Sequence, residues 1–463
     1  MVVPRAVHYL EERTGSSMVT KALRYVFPDH WSFLLGELAL YSFIVLLATG
    51  TYLAFFFDPS YADTVYNGSY EPLRGIRMSE AYKSAVDLSF NVKAGLLMRQ
   101  THHWAALTML TSIVVHVIRV FFTGAFRKPR DLTYTIGATL LVLTLLEGYA
   151  GYSLPDDLLS GAGLAIGYAV ALAIPIVGAN LAFLIWDGEF PGTQAFESRL
   201  YIAHVFVIPA LIGTLIAIHL TLIMITKHSQ FRGRGRIERN VIGTPLWPAY
   251  ALRSGGLFLA VAGAMLLLGG LIQINPIWQY GPYEPYLGTN GVQPDWYMGW
   301  LIGALRIMPP WELVVFGYTI LPNPFFGGIL VPGIIFTLLF MWPQIERRFT
   351  KDAAIHHLLD RPRDVPWRTG FGAAVLMFLG VITVAGAADR IDVAFGIPYD
   401  RQIIFYRVAV FVLPVLAFIV AKWNCERLLQ SERHPLRGWS GAAVRRTPSG
   451  GFERLPERKE PRP

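Results

Sequence analysis

Long apolar stretches broken by short charged ones set the pattern of this chain. Eight of them carry few charges and reach bilayer length: residues 33–57, 98–124, 134–154, 201–226, 255–273, 325–342, 370–388 and 403–421. A hydrocarbon core about 30 Å thick is crossed by roughly 20 helical residues at about 1.5 Å each. The pattern predicts an all-α polytopic membrane protein with eight transmembrane helices.

A ninth stretch, residues 158–186, is also uncharged. Gly161, Gly163, Gly167, Pro175 and Gly178 interrupt it, which predicts short helices in a surface hairpin rather than a span. Charge supports that reading. With eight spans and the N-terminus inside, 29 of the 40 Lys and Arg fall on the inner side, eight on the outer side and three within spans. A ninth span would move the loop bearing Arg232, Arg234, Arg236 and Arg239 outside. Both termini are therefore expected to be cytoplasmic, in a cell membrane.

Composition agrees, with 53% apolar and only 16% charged residues against about a quarter charged in soluble chains. The net charge of +8 follows from the inner loops and tail, so it calls for a lipid bilayer and not for nucleic acid. Arg5, Glu11, Glu12 and Arg13 precede any apolar run, so no signal peptide is expected and the first span should direct insertion. The chain divides into residues 1–230 with four spans, residues 231–425 with four more, and a basic tail, 426–463, expected to be disordered. Topological anchoring is the simplest role for that tail.

Four histidines sit inside these apolar segments, where such a side chain is costly. His102 and His116 are 14 residues apart in the second span, and His204 and His219 are 15 apart in the fourth. Those steps correspond to about 21–22 Å of helix axis and keep each pair on one side of its helix. Packed side by side, the two helices offer two bis-histidine sets, which implies two non-covalent haem b groups stacked across the membrane as an electron path. His102 and His204 would serve the outer haem iron, His116 and His219 the inner. His103 points about 100° from His102 and is expected to be a neighbour rather than a ligand.

Glycines repeat the spacing: Gly36 and Gly50 in the first span, Gly137 and Gly151 in the third, each pair 14 apart. A missing side chain lets a flat bulky group approach the backbone, so each glycine can lie level with a haem. Arg99 and Arg119 flank the histidines by three residues and can meet haem propionates.

These residues resemble the cytochrome b subunit of the cytochrome bc complexes, the quinol:cytochrome c reductases, over roughly residues 25–425. The resemblance also rests on Gly151-Tyr152-Ser153-Leu154-Pro155, on Ile174-Pro175-Ile176-Val177-Gly178, and on Pro294-Asp295-Trp296-Tyr297, which is similar to the family's Pro-Glu-Trp-Tyr signature. It implies a proton-translocating enzyme. On that resemblance, quinol would be oxidised at an outer site where Asp295 accepts a hydroxyl proton, Pro294 sets the turn, and Trp296 and Tyr297 wall the pocket. The resemblance further implies that one electron goes to a Rieske iron–sulfur subunit and the other from outer to inner haem, where quinone would be reduced. Asp in place of Glu resembles the menaquinol-using actinobacterial form, so menaquinol is the expected substrate.

A cytochrome c subunit is implied as well, in a homodimeric complex, with a supercomplex containing a terminal oxidase as an extension. Cys425 is the only cysteine, so cysteine-ligated clusters and CxxCH haem attachment must belong to other subunits. For the inner quinone site the candidates are His30, Trp31, Ser32, Glu37, Lys227, His228, Arg253 and Ser254. A headgroup contact for His228 and an interhelical hydrogen bond for Glu37 stay open. Glu147 is a further proton-path candidate, with a structural bond as its alternative. A di-haem membrane anchor of another quinone-linked oxidoreductase would share the histidines but need neither the outer quartet nor the hairpin.

Overall fold

The computed structural model describes residues 9, 12–13, 23–287, 293–433, 444–446 and 452–454. Among the described residues, eight helices are long and apolar enough to cross a membrane: α1 (Trp31–Ala54), α2 (Gly95–Thr123), α3 (Asp131–Ser153), α4 (Gln194–Thr226), α5 (Leu246–Leu271), α6 (Asn323–Thr350), α7 (Pro366–Ala385) and α8 (Tyr399–Glu432). They coincide with the eight expected spans. The helices at α4 and α8 overrun the apolar stretches because hydrogen bonding continues past the point where side chains turn polar.

Hydroxyl side chains inside the spans bond back to their own helices. Ser42 donates to Leu38 O at 2.8 Å, Thr108 to Trp104 O at 2.8 Å and Thr144 to Leu140 O at 2.8 Å. Each bond satisfies a polar group where water is absent.

Helix α2 packs along α1 and α5, while α3 packs along α4. α2 and α4 are not a closely packed pair, which corrects the expectation that they lie side by side. Packed helices sit about 8–10 Å apart, too close to seat a macrocycle between them, so the histidine-bearing helices stand across the middle of the bundle instead. The division at residue 230 is likewise one of sequence and not of packing. Val45 of α1, Ala105 of α2, and Val261 and Met265 of α5 share one buried cluster. A second group is built by α7 and α8, with the short helix Trp296–Ile307 against α7.

The 158–186 stretch forms two helices, Leu158–Leu172 and Gly178–Trp186, that pack on each other. Its glycines do not all act as breaks. Gly161, Gly163 and Gly167 lie within the first helix, where β-carbons would collide with Tyr283, Tyr152 and Tyr149 at 2.1, 1.5 and 2.2 Å. They admit aromatic rings to the helix surface; the turn itself falls at Ile174–Val177, with Ile176 at φ 68° and 97% exposed.

The tail begins later than expected, because the last helix continues to Arg433. Val444–Arg446 and Phe452–Arg454 form an antiparallel pair rather than disordered chain, and the rest of the expected tail lies outside the described residues. At the end of the bundle that carries the N-terminal segment, strand Val26–Pro28 pairs antiparallel with Gly243–Pro245 and ties the start of α1 to the start of α5.

Candidate functional site

Each of the four histidines faces one of the four glycines. A β-carbon on Gly50 would stand 3.1 Å from His102 Cε1, and on Gly151 2.4 Å from His204 Cε1. At the other level the distances are 3.7 Å from Gly36 to His116 and 3.3 Å from Gly137 to His219. Helices α1 to α4 therefore each contribute one residue to each level. The 15-residue step in α4 is reconciled with the 14-residue step in α2 by a π-helical turn at Ala203–Val207, which contains His204 and takes up one extra residue.

His102 and His204 face one another with ring centroids 6.2 Å apart. That is the spacing of two imidazoles on opposite sides of one ion, at roughly 2 Å of bond and roughly 1 Å of ring on each side. Thr49 sets the His102 tautomer. Its hydroxyl proton goes to Val45 O at 2.7 Å, so the 2.9 Å contact with His102 Nδ1 is donated by the ring and Nε2 keeps its lone pair for a metal. Glu147 Oε1 lies 2.9 Å from His204 Nδ1, in ion contact but out of line for a hydrogen bond.

Both levels fit haem. Two imidazoles per level leave an iron's remaining positions to a macrocycle, and among the described residues no group of three or more His, Cys, Asp or Glu could hold a bare metal ion. Arg99 Nε, Arg119 Nε and Arg119 Nη2 are buried without partners, as are His116 Nδ1 and His219 Nδ1. Orphaned guanidinium atoms are costly unless they meet an anion such as a propionate.

The His102–His204 level opens into a cavity of about 260 Å³ that also reaches Arg99, His103, Tyr152, Asp295 and Tyr297. Asp295 occupies the cap position of the helix Trp296–Ile307, yet its carboxylate makes no cap bond. It turns instead to His103, whose Nε2 is 2.9 Å from both carboxylate oxygens. The sequence reading placed His103 beside a ligand and missed this partner; the 100° offset gave its direction, but which residue would meet it depends on a loop 192 positions away. Tyr297 is buried at 3%, with its hydroxyl against Gly148, another residue the sequence reading passed over. Trp296, expected to wall the pocket, is 44% exposed and is not part of the cavity wall, since neighbours on a helix point about 100° apart.

The inner-site candidates gather near the Val26–Pro28 strand, but in two groups. Glu37 accepts hydrogen bonds from Ser254 Oγ at 2.6 Å, Tyr41 OH at 3.1 Å and the Tyr250 hydroxyl. His228 Nδ1 bonds Tyr25 OH at 2.9 Å and packs on Phe27, which also meets the Tyr25 and Tyr250 rings. Burial, with the Arg130 and Arg119 cations, pushes His228 down to about 4. His30 pairs with Ser32 Oγ at 2.8 Å. Trp31, Lys227 and Arg253 are exposed, and Arg253 lies 3.6 Å from Asp29.

Paired histidines and glycines inside an eight-helix membrane bundle, opening on an acidic cavity, define a polytopic helical cytochrome-like protein. A family model described as cytochrome b (N-terminal)/b6/petB matches residues 107–282. The "Cytochrome bc1 complex cytochrome b subunit" of Mycobacterium tuberculosis is 47% identical over 442 residues, 95% of this chain and 80% of that one. Its namesake in Streptomyces coelicolor is 45% identical over 454 residues, 97% of this chain and 82% of the other. A solved chain titled "Hyperthermophilic respiratory Complex III" shares the fold at TM-score 0.65 and 18% identity, covering 90% of this chain and 99% of its own. The chain belongs to the family of cytochrome b subunits of cytochrome bc1 complexes.

Proposed function

We propose that this protein oxidises a quinol, menaquinol in the first instance, in the Asp295 cavity, as the cytochrome b subunit of a proton-translocating quinol:cytochrome c reductase. The observation that carries the reading is the single cavity shared by Asp295, Tyr297 and the His102–His204 pair. Two haem b groups, held by His102 with His204 and by His116 with His219, supply one-electron redox chemistry when bound.

The chain's own residues do the rest. Gly36, Gly50, Gly137 and Gly151 leave clearance, and Arg99 and Arg119 neutralise propionates. Asp295 accepts the quinol hydroxyl proton, His103 holds that carboxylate toward the cavity, Tyr297 closes its wall and Pro294 sets the turn into it. His30, Ser32, Glu37, Lys227, His228 and Arg253 surround the quinone-reducing end, with Glu37 and its three hydroxyls as the proton-bearing group there.

The excess of Lys and Arg in the loops supports a reading with Asp295 on the outer side and both termini in the cytoplasm. Rieske and cytochrome c subunits complete the reaction, in a dimeric complex associated with a terminal oxidase. Purification with native partners, followed by spectral haem counting and extraction of the bound quinone, tests the reading. Two haems and menaquinone are expected; a colourless preparation overturns it, and ubiquinone overturns the substrate.

A further inference from the structure

Three carboxyl groups are joined closely to the wall of the oxidation cavity, Asp156 and Asp157 directly after Pro155 and Glu197 one helical turn before Tyr201, and the reading above gives them no part. Asp157 is 1% exposed and Glu197 is fully enclosed. Asp157 caps the helix Leu158–Leu172 through the Leu159 and Ser160 N–H groups at 2.9 and 3.3 Å, and Asp156 accepts a 2.6 Å bond from Ser79 Oγ. Glu197 differs. Neither of its oxygens receives an in-line hydrogen bond, although the Tyr61 hydroxyl lies against the carboxylate, and a buried polar group left so needs water or a proton to bond.

The groups facing Glu197 are Tyr61 and Asp156. Asp156 in turn faces Asp157 and Glu284, and Asp157 faces Arg99, the one cation acting on this set. Tyr149 faces Tyr61. On the cavity side, Tyr152 and Tyr280 are each within electrostatic reach of both Asp295 and Asp157. On the far side, the Tyr61 backbone N–H donates at 2.8 Å to Oε1 of the exposed Gln194. Burial raises Asp156 to about 7 and Asp157 to about 6, so both exchange protons near neutral pH.

We propose that Asp157, Asp156 and Glu197 form a proton relay from the quinol cavity to the outer water, with Glu197 as the buried station next to the surface. This rests on the quinol reading of Asp295. The proton leaves the quinol hydroxyl for Asp295, and each carboxyl then takes a proton on one oxygen and releases one from the other, with water bridging the gaps. No electron travels this way, and every group returns to its starting state.

The test uses the intact complex in vesicles, with quinol-driven turnover and external proton release followed over a pH series for Glu197→Gln, Glu197→Asp, Asp156→Asn and Asp295→Asn. Glu197→Gln and Asp156→Asn are expected to slow both readouts at least about tenfold and to change the pH profile, while Glu197→Asp restores most of the rate. Haem spectra stay unchanged. Unaltered turnover in both the Gln and Asn variants overturns the relay, as does a Gln variant as active as the Asp variant, because an isosteric amide satisfies a structural role but carries no proton. Should either variant fail to assemble, Asp157→Asn, which keeps the helix cap, gives the same readout, and wild-type rates there also overturn the relay. Slow Asp295→Asn with normal Glu197→Gln removes the relay and leaves the oxidation site standing; normal Asp295→Asn removes the oxidation site itself.

Discussion

Gly151 lies so close to His204 that a β-carbon there would come within 2.4 Å of the ring's Cε1. Real β-carbons do not approach that closely, so Gly151→Ala has to displace the imidazole. The expected outcome is loss of one haem, read as half the absorbance of the wild-type protein. Gly36→Ala, at 3.7 Å from His116, should keep both, and Gly50→Ala and Gly137→Ala should fall between. Equal haem content in all four variants would detach the glycines from the cofactor sites.

Asp295 and His103 make a second pair whose separation is informative. Asp295→Asn keeps the shape but cannot accept a proton, so quinol turnover should drop by roughly a hundredfold with both haems spectrally intact. His103→Phe should lower turnover less, since it frees the carboxylate without removing it. Steady-state kinetics on membranes distinguishes the two.

Acid stability offers an independent check. His228 sits at about 4 in the folded protein against 6.5 unfolded, so the unfolded chain binds the extra proton first and stability declines as pH falls from about 6.5 towards 4. Asp156 and Asp157 act in the opposite sense. Their folded values lie above the ordinary 3.8, so they favour the fold below that value and lose the advantage as pH rises through about 6 and 7. Thermal unfolding of His228→Gln should therefore be less acid-sensitive than wild type; an unchanged slope would remove His228 as the cause.

Arg368 joins α7 to α6 by bonding Glu346, and it holds Asp360 at 2.9 Å while Arg127 reaches the same carboxylate at 2.9 Å. Both Arg368 and Asp360 are buried. Arg368→Ala leaves Glu346 without a cation and should cost about 3–5 kcal/mol, visible as a lower unfolding temperature with unchanged haem spectra before unfolding.

Much of the architecture was legible beforehand because a bilayer imposes a simple rule. Every backbone polar group must bond within its own segment, so apolar length alone marks a helix, and eight such lengths became eight helices. The histidine and glycine spacings were readable for the same reason, since an α-helix turns a residue interval into a depth and a direction. Where the helix departs from that metre the arithmetic slipped: the π turn at Ala203–Val207 hides the agreement between the two histidine steps. Composition read Gly161, Gly163 and Gly167 as breaks, although the helix runs through them to receive tyrosines from elsewhere in the chain.

Sequence by itself thus determined the spans, the two levels of paired histidines and glycines, and the acidic loop, all features set by local spacing and by the cost of burying polar groups in lipid. Tertiary structure alone decided that α2 and α4 face each other across the bundle, that His103 takes Asp295, that Trp296 turns outward, and that Glu197 is sealed in beside Asp156. Those outcomes depend on which distant segments fill the space around each side chain. Packing settles that question, and no interval along the chain records it.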